Sequence, residues 1–145
     1  MNPLLSALAG DAEIDALLSD RAQLAAMLSV ERALAEASAA CGWIGADAAE
    51  AIKARIEGFE PDWPDLLAGM SRDGVVVPAL VRQLRAGLAE NHHAALHKGA
   101  TSQDVIDTAL MLQLARVFDI YESRLSTLLQ RLDALAAEAG DRPLM

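Results

Sequence analysis

Between positions 97 and 108 the chain reads His97-Lys98-Gly99-Ala100-Thr101-Ser102-Gln103-Asp104-Val105-Ile106-Asp107-Thr108. The run gathers an imidazole, hydroxyls, an amide and carboxylates just ahead of the longest apolar-periodic segment in the sequence. Thr101 or Ser102 suits the N-cap of that segment's helix, because a side-chain oxygen there accepts an otherwise unpaired first-turn N–H. Asp104 and Asp107 then place negative charge at the positive end of the helix dipole. Gly99 permits backbone angles or a close approach that a side chain would forbid. Hydroxyls, an amide, an imidazole and unpaired N–H groups at one helix start can cradle a carboxylate or phosphate. Taken by itself, Thr-Ser-Gln-Asp reads first as a helix cap with no further task, since most caps have no other.

Two other sets of residues have chemical potential. Glu31 falls within an apolar seam formed by Leu24, Met27, Glu31, Leu34, Ser38 and Cys41, spaced by threes and fours. A buried carboxylate is costly unless paired or hydrogen-bonded, so Glu31 is expected to have a structural partner in a neighbouring helix, with a pocket role as the alternative. His92, His93 and His97 suggest metal ligation, since His93 and His97 are four apart. No third ligand follows at zinc-like spacing, and Gly99 interrupts the helix that such a pair requires, so no metal site is expected. His92 and His93 are read as surface residues. An imidazole such as His97 titrates near neutral pH and can bind an anion or handle a proton.

The elements that must position these groups are helices. Periodicity predicts a short helix around Ala12–Leu17, then one capped by Ser19, running to about Cys41 and stopped by Gly42. Trp43-Ile44-Gly45 makes a turn before a helix over Asp47–Glu57. Pro61 and Pro64 punctuate the connection, with a turn of helix over Asp65–Met70. Val76, Leu80, Leu84 and Leu88 predict a helix from Gly74 to Ala89, where Pro78 is tolerated in the first turn. The last helix is predicted over Gln103–Ala139, with a stripe of Leu110, Leu114, Val117, Tyr121, Leu125, Leu128, Leu132, Leu135 and Ala139. At about 1.5 Å per residue it is roughly 55 Å long, against a radius of gyration of about 15 Å for a compact chain of this size. It therefore needs partner helices, from other subunits or from further sequence.

A chain of 145 residues with 53% apolar side chains can build one core, and only five aromatic residues favour helix packing over a β-sandwich. The net charge of −9 argues against nucleic acid or an anionic membrane as partner, but not against a small anion held by local groups. The lone Cys41 excludes an internal disulfide and suits a reducing cytoplasm. Neither a secretory leader nor an apolar run long enough for a membrane span is read.

The run from His97 to Thr108 resembles the first of three signature blocks of the fumarase/aspartase superfamily. Within it the likeness is greatest to the 3-carboxy-cis,cis-muconate cycloisomerases, with adenylosuccinate lyases next. Leu18-Ser19-Asp20-Arg21-Ala22-Gln23-Leu24 and Val30-Glu31-Arg32-Ala33-Leu34-Ala35 resemble the N-terminal helix of the same cycloisomerases. Lys98 departs from the pattern, standing where those enzymes usually carry an aromatic residue. The resemblance implies an all-α fold in which residues 1–100 are an N-terminal helical domain and 101–145 the first long helix of a central bundle. It further implies a homotetramer whose sites each combine three blocks from three subunits. The substrate would be a small polycarboxylate in the breakdown of protocatechuate, with neither metal nor organic cofactor required.

By the same resemblance His97 is the candidate catalytic group, for proton handling or substrate binding. Thr101, Ser102 and Gln103 would supply donors to substrate oxygens, and Asp104 would orient the loop. Asp107 and Thr108 lie a turn deeper. The family's second block, with its catalytic histidine, and its third, a Gly-Ser-Ser-x-Met-Pro-x-Lys-x-Asn loop, do not occur in these residues. The chain stops at Arg142-Pro143-Leu144-Met145, close to where the second block is expected, so it reads as an N-terminal portion that is inactive alone. The alternatives are another β-elimination lyase of the superfamily and a helical oligomerisation module without activity.

Overall fold

The computed structural model of the protein describes residues 7–140, and its regular elements there are all helical. In chain order they are α1 (Ala12–Leu17), α2 (Asp20–Ala40), α3 (Ala46–Glu57), α4 (Trp63–Asp73), α5 (Val77–Ala86), a 3-10 turn (Glu90–His92) and α6 (Ser102–Ala139). Three of the starts before α6 are capped by a side chain. Asp11 accepts from the N–H groups of Glu13 and Ile14, Ser19 from Ala22, and Asp62 from Asp65, satisfying donors that a helix start leaves unpaired.

Helix α2 is the centre of the fold, packed against both α3 and α6, while α4 pairs with α5. Met27, Ile52, Leu66, Leu80, Leu84 and Val105 are the largest apolar side chains in the sealed core. The α4–α5 contact depends on Gly69: a Cβ there would lie 2.4 Å from the Cβ of Ala79, so only glycine lets the two backbones approach this closely.

Several boundaries and faces differ from those expected. The segment read as one turn over Asp65–Met70 is an eleven-residue helix, because Asp62 caps it and Pro64 sits in its first turn. The helix expected from Gly74 covers only Val77–Ala86. Gly74 instead closes α4 in the left-handed conformation, φ 74°, a position glycine fills without steric cost. On α2 the buried seam is Leu24, Met27, Glu31, Ala35 and Ser38, with Leu34 only half-buried. Cys41 is exposed at the helix end rather than closing the seam.

On α6 the covered residues are Val105, Ala109, Gln113 and Val117; of the expected stripe only Val117 is among them, with Leu114 half-buried. Gln113 fits because its amide donates to the carbonyl of Leu17 at 2.7 Å. The rest of the stripe faces outward, as a helix in need of outside partners would: Leu132 is 51% exposed, and every residue from Tyr121 to Gly140 is exposed. Among the described residues Arg124 anchors this arm, through ion pairs to Asp11 and Glu13 at the start of α1. Residues 141–145, expected to complete the long-helix segment, and residues 1–6 lie outside the described residues. No helix among the described residues is long and apolar enough to cross a membrane.

Leu80 is fully buried where α5 enters the core, so Leu80→Ala should destabilise the chain by about 2–5 kcal/mol. Urea denaturation followed by circular dichroism measures this, and a loss of under about 1 kcal/mol would show that α5 does not seal the core.

Candidate functional site

The loop ahead of α6 is shaped by two facts of local chemistry. Residues 93–99 form consecutive turns rather than a helix, and within them His97 holds φ 59°, the only non-glycine with positive φ among the described residues. Such a conformation costs about 1–3 kcal/mol and persists only where surroundings enforce it. Gly99 follows with φ 80°. The enforcing contact is Glu31: its Oε1 lies 2.5 Å from the Nδ1 of His97, across 66 residues of sequence. The Glu31 side chain has no exposed surface and that of His97 is 18% exposed. The partner expected for Glu31 thus comes from the turn before α6 and not from a helix.

The surroundings of this pair are charged. The hydrogen bond to Glu31 raises the His97 pKa above the ordinary histidine value; burial and the positive charge of Arg85 oppose it, and the charges of Glu31 and Asp104 assist. Glu31 Oε2 and Arg85 Nε are both buried without a hydrogen-bond partner among the described residues. Nε2 of His97 also lacks such a partner but is not among those buried atoms, so it remains accessible.

Thr101 caps α6 in a reciprocal box with Asp104. The backbone N–H and hydroxyl of Thr101 donate to Asp104 Oδ2 at 2.8 and 2.7 Å, and the Asp104 N–H donates to the Thr101 hydroxyl at 3.3 Å. Those donors hold the Asp104 carboxyl below its usual pKa range. Ser102, the first helical residue, is half-buried. Gln103 is exposed and gives an amide N–H to Asp107 at 2.5 Å. At this helix start the N–H groups of Ser102 and Gln103 have no intrahelical acceptor. Thr101, Ser102, Gln103 and His97 are therefore within one short loop, with the donors of Thr101 already engaged.

Gln103 and Ile106 also line an open, mainly apolar cleft of about 360 Å³ between α2, α4 and α6, whose other walls include Leu24, Met27, Trp63 and Leu67. Lys98 points away from it, its ammonium donating to the carbonyl of Trp43 at 2.7 Å. His93 Nε2 is 3.0 Å from the carbonyl of Leu88, a local loop contact that the sequence reading did not assign to it. The pairing of Glu31 with His97 was signalled in the sequence only by a carboxylate on an apolar seam.

No family model matches the chain. It is 38% identical to the 3-carboxy-cis,cis-muconate cycloisomerase of Bradyrhizobium diazoefficiens over 94% of its own length and 31% of that protein. Its fold superposes with TM-score 0.85 on the 3-carboxy-cis,cis-muconate lactonizing enzyme of Pseudomonas putida, at 32% identity, covering 94% of this chain and 32% of that one. A fumarate lyase from a Mesorhizobium species gives TM-score 0.84 at 34% identity, covering 88% of this chain and 30% of that one. The chain is thus homologous to these enzymes, in agreement with the resemblance seen in its motifs, and spans about a third of their length.

Thr101→Ala removes the side-chain half of the capping box and should cost about 0.5–2 kcal/mol of stability in denaturant titrations. The His97 pair sets a pH dependence of known sign. Because folded His97 binds its proton more tightly than the ordinary value of 6.5, the folded state holds more protons between that value and the folded one. The stabilisation is complete below the unfolded value and is lost as pH rises through the folded value. Denaturation midpoints should therefore fall across that window, and Glu31→Gln should flatten the fall. An unaltered slope in the variant would assign the dependence to other groups.

Proposed function

We propose that this chain forms the part of a cofactor-independent cycloisomerase that carries the first substrate-binding block, acting on 3-carboxy-cis,cis-muconate to give a carboxymuconolactone. The observation that carries this reading is 38% identity to an enzyme of that name across 94% of the chain. The Thr101-Ser102-Gln103 loop at the start of α6 supports it, since its polar groups suit a small polycarboxylate.

In the proposed reaction one carboxylate of the substrate attacks the conjugated diene, closing a γ-lactone, while a proton is delivered to carbon. Charge builds on the oxygens of the remaining carboxylate conjugated with that carbon, and preorganised donors aimed there lower the barrier. Ser102, its backbone N–H and that of Gln103 are the donors this loop can offer. His97 binds a carboxylate oxygen or transfers the proton. Asp104, committed to Thr101, orients the loop. The general base or acid on the opposite side of the substrate belongs to blocks that these residues do not contain.

The unpartnered apolar arm of α6 fits assembly through a central helical bundle, with a homotetramer in the assembled enzyme. Residues 1–100 then form the outer helical domain and the helix from Thr101 onward enters the bundle.

Two assays test the reading through loss of the muconate ultraviolet absorbance. The purified 145 residues should give negligible turnover, because two of the three blocks are lacking. A chimera in which this chain replaces the matching third of the Bradyrhizobium enzyme should recover lactonization. Turnover of adenylosuccinate but not of carboxymuconate by that chimera would replace the proposal with a lyase.

A further inference from the structure

The strongest feature outside the helix-cap groups is a carboxylate with almost no alternative. Glu31 is 1% exposed, and among the described residues its Oε2 has no hydrogen-bond partner and Oε1 meets only His97. A lone carboxylate in such a place is strongly unfavourable, so its charge has to be answered by the ring beside it. Charged groups reach that ring from three elements: Glu31 from α2, Arg85 from α5 and Asp104 from α6. Only Glu31 is hydrogen-bonded to it.

We propose that Glu31 is a positioning residue: by accepting the Nδ1–H of His97 it fixes the ring's orientation and protonation pattern, so that Nε2–H is presented as a cationic donor to a substrate carboxylate. This rests on the reading of the loop as a carboxylate site. A carboxylate partner on one imidazole nitrogen dictates the chemistry of the other. With Nδ1 committed, Nε2 donates while the ring is charged and becomes a bare acceptor only after the ring loses its proton. Two observations agree with a presenting role rather than a simple brace across the loop. The Nε2 of His97 has no partner among the described residues and is not among the fully buried atoms. The ring stands in the same loop as Ser102, whose N–H and that of Gln103 are open. Together they place a positive donor beside neutral ones, which is what two oxygens of one carboxylate need.

The test uses the 145-residue chain, labelled with 15N, and long-range proton–nitrogen correlation spectra of the histidine rings. His97 should titrate above the ordinary value of 6.5, and its neutral form should be the Nδ1–H tautomer. Glu31→Gln should bring the midpoint down toward the ordinary value and let the Nε2–H tautomer appear. A native His97 that rests as the Nε2–H tautomer, as it would if a protonated Glu31 donated to Nδ1, overturns the proposal. The native spectrum decides this even where Glu31→Gln fails to fold. Succinate then serves as a dicarboxylate probe and should shift the His97 Nε2 signal in the native chain. If the tautomer is as expected but succinate leaves Nε2 unmoved, the carboxylate half of the proposal is overturned, while the functional reading is decided separately by turnover in the chimera; a wrong tautomer overturns the positioning role alone.

Discussion

A carboxylate buried on the central helix is the constraint from which the site's placement follows. Glu31 lies on α2 between Met27 and Ala35, both core residues. Removing one partner from a buried ion pair generally costs about 3–5 kcal/mol, a large part of the stability of a small domain. His97 reaches Glu31 from 66 residues away, and in doing so it pulls the turn at 93–99 onto α2. That contact fixes where α6 begins, and with it the direction of the capping box and the unpaired N–H groups of its first turn. The strained backbone at His97 is the local expense of this arrangement, about 1–3 kcal/mol for a residue in that region.

Helix α6 works in two regimes along one rigid rod. Its first half is buried through small or short side chains, Val105, Ala109 and Val117, with Gln113 tied to a backbone carbonyl. Such a surface lets α2 and α1 pack close. Its second half carries Tyr121, Leu125, Leu128, Leu132 and Leu135, all exposed. At about 1.5–3 kcal/mol for burial of each large apolar side chain, these five leave on the order of 10 kcal/mol of potential stabilisation unused. The arm starts 19 residues beyond Ser102, which places it about 28 Å along the helix from the loop. Whatever covers the arm is therefore registered against the loop by the helix itself, with no hinge between them.

Much of this was legible in the residues. Local signals predicted the helix at Ala12–Leu17, the Ser19 cap, a cap at Thr101 or Ser102 and the extent of α6, because caps and apolar periodicity act over a few residues. The anomaly at Glu31 was visible for the same reason: a charge on an apolar seam demands an explanation. Its partner was not visible, since the pairing spans two separate elements and depends on His97 adopting a left-handed backbone that nothing in its neighbours specifies. The leucine stripe of α6 was read as needing partner helices beyond this chain, and from Tyr121 onward it is left open. What periodicity did not reveal is that the domain covers a weaker face, Ala109 and Gln113. Gly74 was read as the start of a helix because the apolar spacing ran through it, whereas its left-handed geometry ends the preceding one.

The distribution of charge explains how an acidic protein can offer a place to an anion. The chain carries a net charge of −9, and the loop itself contains Asp104, which would repel a carboxylate placed beside it. Asp104, however, receives two hydrogen bonds from Thr101 and gives its own N–H back, so its charge is directed into the cap. Around the His97 ring the ionised groups are Glu31 and Asp104, two negative, and Arg85 and protonated His97, two positive, which sum to zero. What remains uncompensated is the helix start, with the equivalent of about half a positive charge, together with the open N–H groups of Ser102 and Gln103. Remote acidic residues on the exposed helix faces are screened over roughly 8–10 Å at physiological salt. An approaching carboxylate thus responds to the local balance at the first turn of α6 and not to the charge of the whole chain, and that balance holds only while His97 keeps its proton.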